Sequence, residues 1–83
     1  MSYFVYIIQS EIDGSFYVGH TRDLEDRLLR HNSGRSKYTR VKAPWKIIFS
    51  ESYLTRAKAM KREMDIKGKK SSKYIETLIS RNK

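Results

Sequence analysis

Two runs of strand-forming residues, "YFVYIIQS" at 3–10 and "SFYVG" at 15–19, are separated only by "EIDG". Short β-branched and aromatic runs suit a pleated, half-buried surface, and Asp13-Gly14 between them is a hairpin turn signal. The chain is thus expected to open with an antiparallel pair. A four-residue loop pairs positions whose numbers sum to an odd value, starting with Ser10 and Ser15. Tyr17 then lies opposite Ile8, and Tyr6 opposite Gly19. Because strand side chains alternate, Tyr6 and Tyr17 then project from one face as diagonal neighbours. A three- or five-residue loop puts them on opposite faces, so the register decides whether they can cooperate.

The remaining elements follow from caps and periodicity. "DLEDRLLRHNSG" (23–34) reads as a helix with Asp23 as N-cap, Glu25 and Asp26 at the positive end, and Gly34 as the stop. Leu24 and Leu28 form its apolar stripe, while Arg27 and His31 are adjacent one turn apart. "RSKYTRVKAPWK" (35–46) holds five basic residues and no acid, and Pro44 marks it as a loop. "WKIIFSESY" (45–53) is a third strand, with Trp45 and Phe49 as core residues. Thr55 caps a helix that runs to about Lys67 and ends at Gly68. A final helix starts at Ser71 or Ser72 and packs through Tyr74, Ile75, Leu78 and Ile79. The order β-β-α-β-α-α gives an α+β fold, a small three-stranded antiparallel sheet flanked by helices.

Eighty-three residues support one domain spanning 1–83. The absence of cysteine excludes a disulfide framework and a cysteine zinc site, and two histidines argue against a structural metal site. The opening "MSYFVYIIQS" lacks the basic region and small-residue cleavage site of a signal peptide, and no apolar run is long enough to span a membrane. The chain is expected in the cytoplasm, without a membrane partner. Its charge of +9 is unevenly placed. Residues 1–34 carry three basic and five acidic side chains, whereas residues 35–83 carry fifteen and four. That asymmetry points to a polyanionic partner, nucleic acid above all.

"VYI" at 5–7 followed by "YVG" at 17–19 resembles the paired signature of the GIY-YIG nucleases. The likeness continues through Arg27, His31, "SKYTR" at 36–40 and the "AKAMKREMDIK" helix carrying Glu63. It spans residues 3 to about 79, and is greatest to small stand-alone bacterial members, relatives of the nuclease domains of the bacterial excinuclease and of the SLX-type structure-specific endonucleases. The resemblance implies a divalent-metal-dependent DNA endonuclease or nickase, acting in repair or recombination. By that resemblance Tyr6 and Tyr17 position and help deprotonate the attacking water, and Arg27 neutralises charge on the scissile phosphate. His31 matches a position used for base or phosphate contact, and Glu63 the carboxylate that holds Mg²⁺ or Mn²⁺. Such a site needs Gly19 to leave room where a water and a phosphate approach the tyrosines. Gly19, His20, Arg35, Lys37, Tyr38, Thr39, Arg40 and Lys42 are the expected nucleic-acid contacts, with Tyr38 suited to stacking on a splayed base. Phe4 replaces the usual first glycine, His20 stands where several relatives carry lysine, and Lys69 where they place an aromatic. A bare domain offers limited DNA surface, so a branched or single-stranded substrate, with a second copy or a protein partner supplying specificity, is expected. The alternative is a non-catalytic nucleic-acid-binding module on the same fold.

Overall fold

A computed structural model describes residues 2–81. The hairpin forms as the turn chemistry dictates. Ser10 donates its N–H to the Ser15 carbonyl (2.8 Å), and Gly14 donates back to the Ser10 carbonyl (3.0 Å). Gly14 adopts φ +78°, a left-handed conformation suited to glycine. Asp13 Oδ1 accepts the Ser15 N–H at 2.9 Å, which closes the turn. Strands β1 (Tyr3–Ser10) and β2 (Phe16–Thr21) pair in the odd-sum register, with Ile8 opposite Tyr17 and Tyr6 opposite Gly19.

Strand β3 (Trp45–Tyr53) pairs antiparallel with the other side of β1, giving the order β2-β1-β3. The register shifts between Ile7, opposite Phe49, and Ile8, opposite Ile47, leaving Ile48 as the extra residue of a bulge. The bulge shifts the alternation of β3, so that Phe49 faces the opposite side of the sheet from Trp45 and Ile47. Ile47 and Trp45 pack with Tyr6 and Ile8 on one face, against Leu24 and Leu28 of helix α1 (Leu24–Asn32). Phe49 packs with Val5, Ile7 and Val18 on the other, against helices α2 (Arg56–Lys69) and α3 (Ser72–Arg81). The α+β architecture with element order β-β-α-β-α-α is as expected.

The helix starts agree with their caps. Asp23 Oδ1 accepts the Asp26 N–H at 3.0 Å, and Thr55 Oγ1 the Lys58 N–H at 3.2 Å. Ser71 is the residue whose hydroxyl accepts from the first turn of α3, at Tyr74 N–H. Helix α1 ends at Asn32, with Gly34 at φ +82° and a bond from Arg35 N–H to the Arg30 carbonyl (3.3 Å), a Schellman-type close. The end of α2 corrects the sequence reading. The helix continues through Gly68, and Lys70 instead takes the left-handed position at φ 49°.

The basic loop after α1 is not free. It contains one 3-10 turn (Arg40–Lys42), an element not foreseen there. Asn32 clamps Trp45 through two bonds, accepting its N–H at 2.6 Å and donating to its carbonyl at 3.0 Å. The Trp45 indole donates to the Thr39 carbonyl at 2.8 Å, and Ser10 donates to the Lys42 carbonyl at 2.7 Å. Among the described residues, no helix is long and apolar enough to cross a membrane.

Candidate active site

The register brings Tyr6 and Tyr17 onto one face, their ring centroids 6.5 Å apart and tilted by 37°. Gly19 has a different role from the one expected. A β-carbon there would stand 2.6 Å from the Tyr6 hydroxyl and 2.8 Å from its Cζ. The Tyr6 ring itself fills the space that a side chain at position 19 would occupy. Its missing side chain lets a phenol rooted on the central strand lean across the edge strand.

Tyr6 is 2% exposed, and its hydroxyl lies 3.0 Å from His31 Nε2. The other nitrogen of that ring, Nδ1, lies 2.7 Å from Thr39 Oγ1. His31 and Thr39 are 3% and 1% exposed, so the three groups form a buried chain. Burial pushes the Tyr6 phenol well above its ordinary range; nearby Tyr17 adds to the rise and Arg27 opposes it. Burial also lowers the pKa of His31, helped by the positive charge of Arg27, so the imidazole is neutral at pH 7. The His31 ring packs edge-on against Tyr17 at 5.0 Å between centroids, and the ring of exposed Tyr38 lies 6.4 Å from Tyr17.

Arg27 stands at the centre of this face. Its Nε is buried and has no hydrogen-bond partner among the described residues, which is costly for a cation unless a ligand completes it. Arg27 lines two neighbouring hollows, one shared with Tyr17, His31 and Arg35, the other with His20 and Arg56. Arg30 joins the first hollow, its own Nε paired with Asp26 at 3.3 Å. Sequence reading passed over Arg30, although its spacing of three from Arg27 puts it on the same helix flank.

Glu63 reaches the same place from α2, on the other face of the sheet. Its Oε1 lies 2.5 Å from His20 Nδ1 and its Oε2 2.5 Å from Lys67 Nζ. Burial raises the pKa of this carboxyl, but the hydrogen bonds from Lys67 and His20 outweigh that and hold it below the usual glutamate value. Its charge is felt at the Tyr6 phenol, which ties the two faces together over the edge of β2. Lys67 was also missed, though it lies one turn beyond Glu63; its ammonium sits 6.0 Å from the Tyr17 ring centroid. No group of three or more His, Cys, Asp or Glu side chains converges among the described residues. The donor set is therefore one carboxylate, with His20 on one of its oxygens and the Lys67 ammonium on the other, so a metal ion would take the place of one of them. That fits a hard divalent ion that keeps most of its waters and takes phosphate oxygens as ligands.

A model of the GIY-YIG catalytic domain matches residues 2–75. The chain belongs to the GIY-YIG family. A UPF0213 protein of Staphylococcus epidermidis is 41% identical over 66 residues, covering 78% of this chain and 79% of its own length. Another, from Staphylococcus aureus, is 43% identical over 67 residues, 80% of each chain. The solution NMR structure of a UPF0213 protein from Bacillus halodurans aligns with a TM-score of 0.60 at 34% identity, over 96% of this chain and 84% of that one. The family match places the chain among nuclease-type domains, which generally depend on a divalent metal.

Within this GIY-YIG fold Tyr6, Tyr17, Arg27, His31 and Glu63, the residues expected to act in catalysis, lie near one another, and His20 joins them through Glu63. Arg35, Lys37, Tyr38 and Arg40 are exposed on the neighbouring loop. Two expected contacts are otherwise engaged. Thr39 is buried behind the loop on His31, out of reach of a backbone phosphate. Lys42 is half-buried and ties the loop to the hairpin, 3.3 Å from Asp13 and 3.0 Å from Ser15.

Proposed function

We propose that this chain is a single-domain, cytoplasmic nuclease that hydrolyses a phosphodiester bond in DNA with Mg²⁺ or Mn²⁺, acting in repair or recombination. The observation that carries the reading is Arg27, a cation hydrogen-bonded to the Tyr6 phenol that lines a hollow with Tyr17 and His31 while its buried Nε has no partner among the described residues. Such a group is suited to a phosphate that arrives with the substrate.

In this reading Arg27 binds the scissile phosphate, with Arg30 and Arg35 beside it in the same hollow. Water attacks phosphorus as the bond to the leaving oxygen breaks. Tyr6 holds its proton too tightly to act as a free phenolate, so it needs an acceptor behind it. Neutral His31 provides one. With its own proton on Nδ1 donated to Thr39, His31 Nε2 takes the Tyr6 proton as Tyr6 takes one from the attacking water. Tyr17 packs against this pair and orients the water. Glu63 holds the divalent ion, which when bound supplies positive charge to the phosphate oxygens. The leaving oxygen takes its proton from solvent.

The test is cleavage of branched, single-stranded and duplex DNA, with Mg²⁺ or Mn²⁺ and with chelator. Product should require the metal, and Arg27→Ala and Glu63→Gln should each lower the rate by about 10²-fold or more while the protein stays folded. Binding without product on every substrate and metal would favour a non-catalytic module, a reading to which the engaged state of both Glu63 oxygens lends support.

A further inference from the structure

A second cleft takes no part in that chemistry. It is a cleft of about 790 Å³ between the hairpin and the corner where α2 turns into α3. This is within the range of roughly 300–1,000 Å³ that small ligands occupy. Phe16, Val18 and Ile75 form an apolar floor, and Lys67, Lys70 and Ser71 a polar rim. Residues 67–73, "KGKKSSK", hold four lysines and no acid. Of the acids at the cleft, Asp13 is already paired with Lys42, and Glu76 lies beyond this run on α3. The cleft meets the active site at Lys67, whose ammonium is shared between the rim and Glu63. Lys70 occupies the rim in a left-handed conformation that residues with a β-carbon disfavour.

We propose that this cleft seats one unstacked nucleotide of the strand flanking the scissile phosphate, its base on the Phe16 floor and its phosphate on Lys70. This rests on the nuclease reading above. Charge complementarity and continuity with the site select a polyanion that runs on from the cleaved bond. The apolar floor selects a single strand, because a paired and stacked base cannot reach it, whereas a splayed base offers a face to an aromatic ring. Duplex would meet only the lysine rim.

The experiment is fluorescence anisotropy in chelator, with oligonucleotides shortened one nucleotide at a time from either end, and with an abasic unit moved along the flank. Removing the one nucleotide that fills the cleft, from one end only, should weaken binding about 5–100-fold, and the abasic unit should do so at that position alone. Lys70→Gly removes the charge while easing the backbone, so the fold is kept, as a melting curve will verify. It should reduce the salt slope of binding by about 0.7 on flanked single strands and change nothing once the flank is gone. Equal losses from both ends, an unchanged slope in Lys70→Gly, or no nucleic-acid binding at all would overturn the cleft. The nuclease reading is scored separately, by metal-dependent cleavage of a flankless substrate. Its failure alongside intact cleft binding removes that reading and leaves this one, while cleavage indifferent to Lys70 and the flank does the reverse.

Discussion

Tyr6 and Gly19 share one volume: the phenol of the first lies where the second would carry its side chain. Gly19→Ala must therefore displace a ring that is 2% exposed and bonded to His31. The expected cost is about 1–3 kcal/mol of stability, as for other overpacked interiors. In the Tyr6→Ala background the same change should cost far less, a coupling of at least about 1 kcal/mol. Thermal or urea denaturation of the four proteins measures it, and additive effects would mean that the ring can move aside freely.

His31 makes stability depend on pH. Its pKa in the folded protein lies below the ordinary 6.5, because burial and Arg27 disfavour the charged form. The stability from keeping it neutral is present above pH 6.5 and is lost as pH falls through the folded value. Glu63, also lowered, acts in the same direction but only below about its ordinary 4.5. Between pH 7.5 and 5 the urea midpoint should thus fall with acidity, at no more than about 1.4 kcal/mol per pH unit from this group. His31→Gln should flatten the profile in that window. A slope that survives in His31→Gln assigns the effect elsewhere.

Thr39 is expected to position the imidazole. Thr39→Val strands His31 Nδ1 in a buried place and should cost about 1–3 kcal/mol. Thr39→Ser keeps the hydroxyl and should restore both stability and rate. In the pH–rate profile of DNA cleavage, Thr39→Val should lower kcat and move the limb set by His31, whereas a merely structural defect would lower the whole curve without shifting it.

Gly68 offers a change in the other direction. It lies inside α2, without positive φ, and a β-carbon there meets nothing within 4 Å. Gly68→Ala should stabilise the protein by about 0.5–1 kcal/mol through lost freedom of the unfolded chain. For a chain of this size that is an increase in Tm of a few degrees, roughly 4–8 °C per kcal/mol. Cleavage should be unchanged. A fall in Tm would return Gly68 to the role of helix terminator.

The hairpin register was legible because Asp13-Gly14 and the alternation from Tyr3 to Val18 are local signals. So were Asp23 and Thr55, which act within one turn of themselves. Gly68 misled because a glycine near a basic helix end looks like a stop, while nothing local marks Lys70 for the left-handed position. Thr39 looked like part of an exposed basic loop. It is buried because Trp45 and His31, six and eight residues away, bond to it across the loop. The pairing of His20 with Glu63 joins residues 43 apart, and only the folded edge of β2 brings them together. What spacing could show was one helix flank at a time; the faces that meet were decided by packing.

The order β2-β1-β3 leaves the two tyrosines on unequal backbone. Tyr6 stands on a strand bonded along both sides, whose amide protons are expected to exchange only when the domain unfolds. Tyr17, Gly19 and His20 stand on a strand bonded along one side, which can open locally at smaller cost. The site is thus divided between a part as durable as the whole molecule and a part that can breathe on its own. Protease nicking would find its easiest way in along β2.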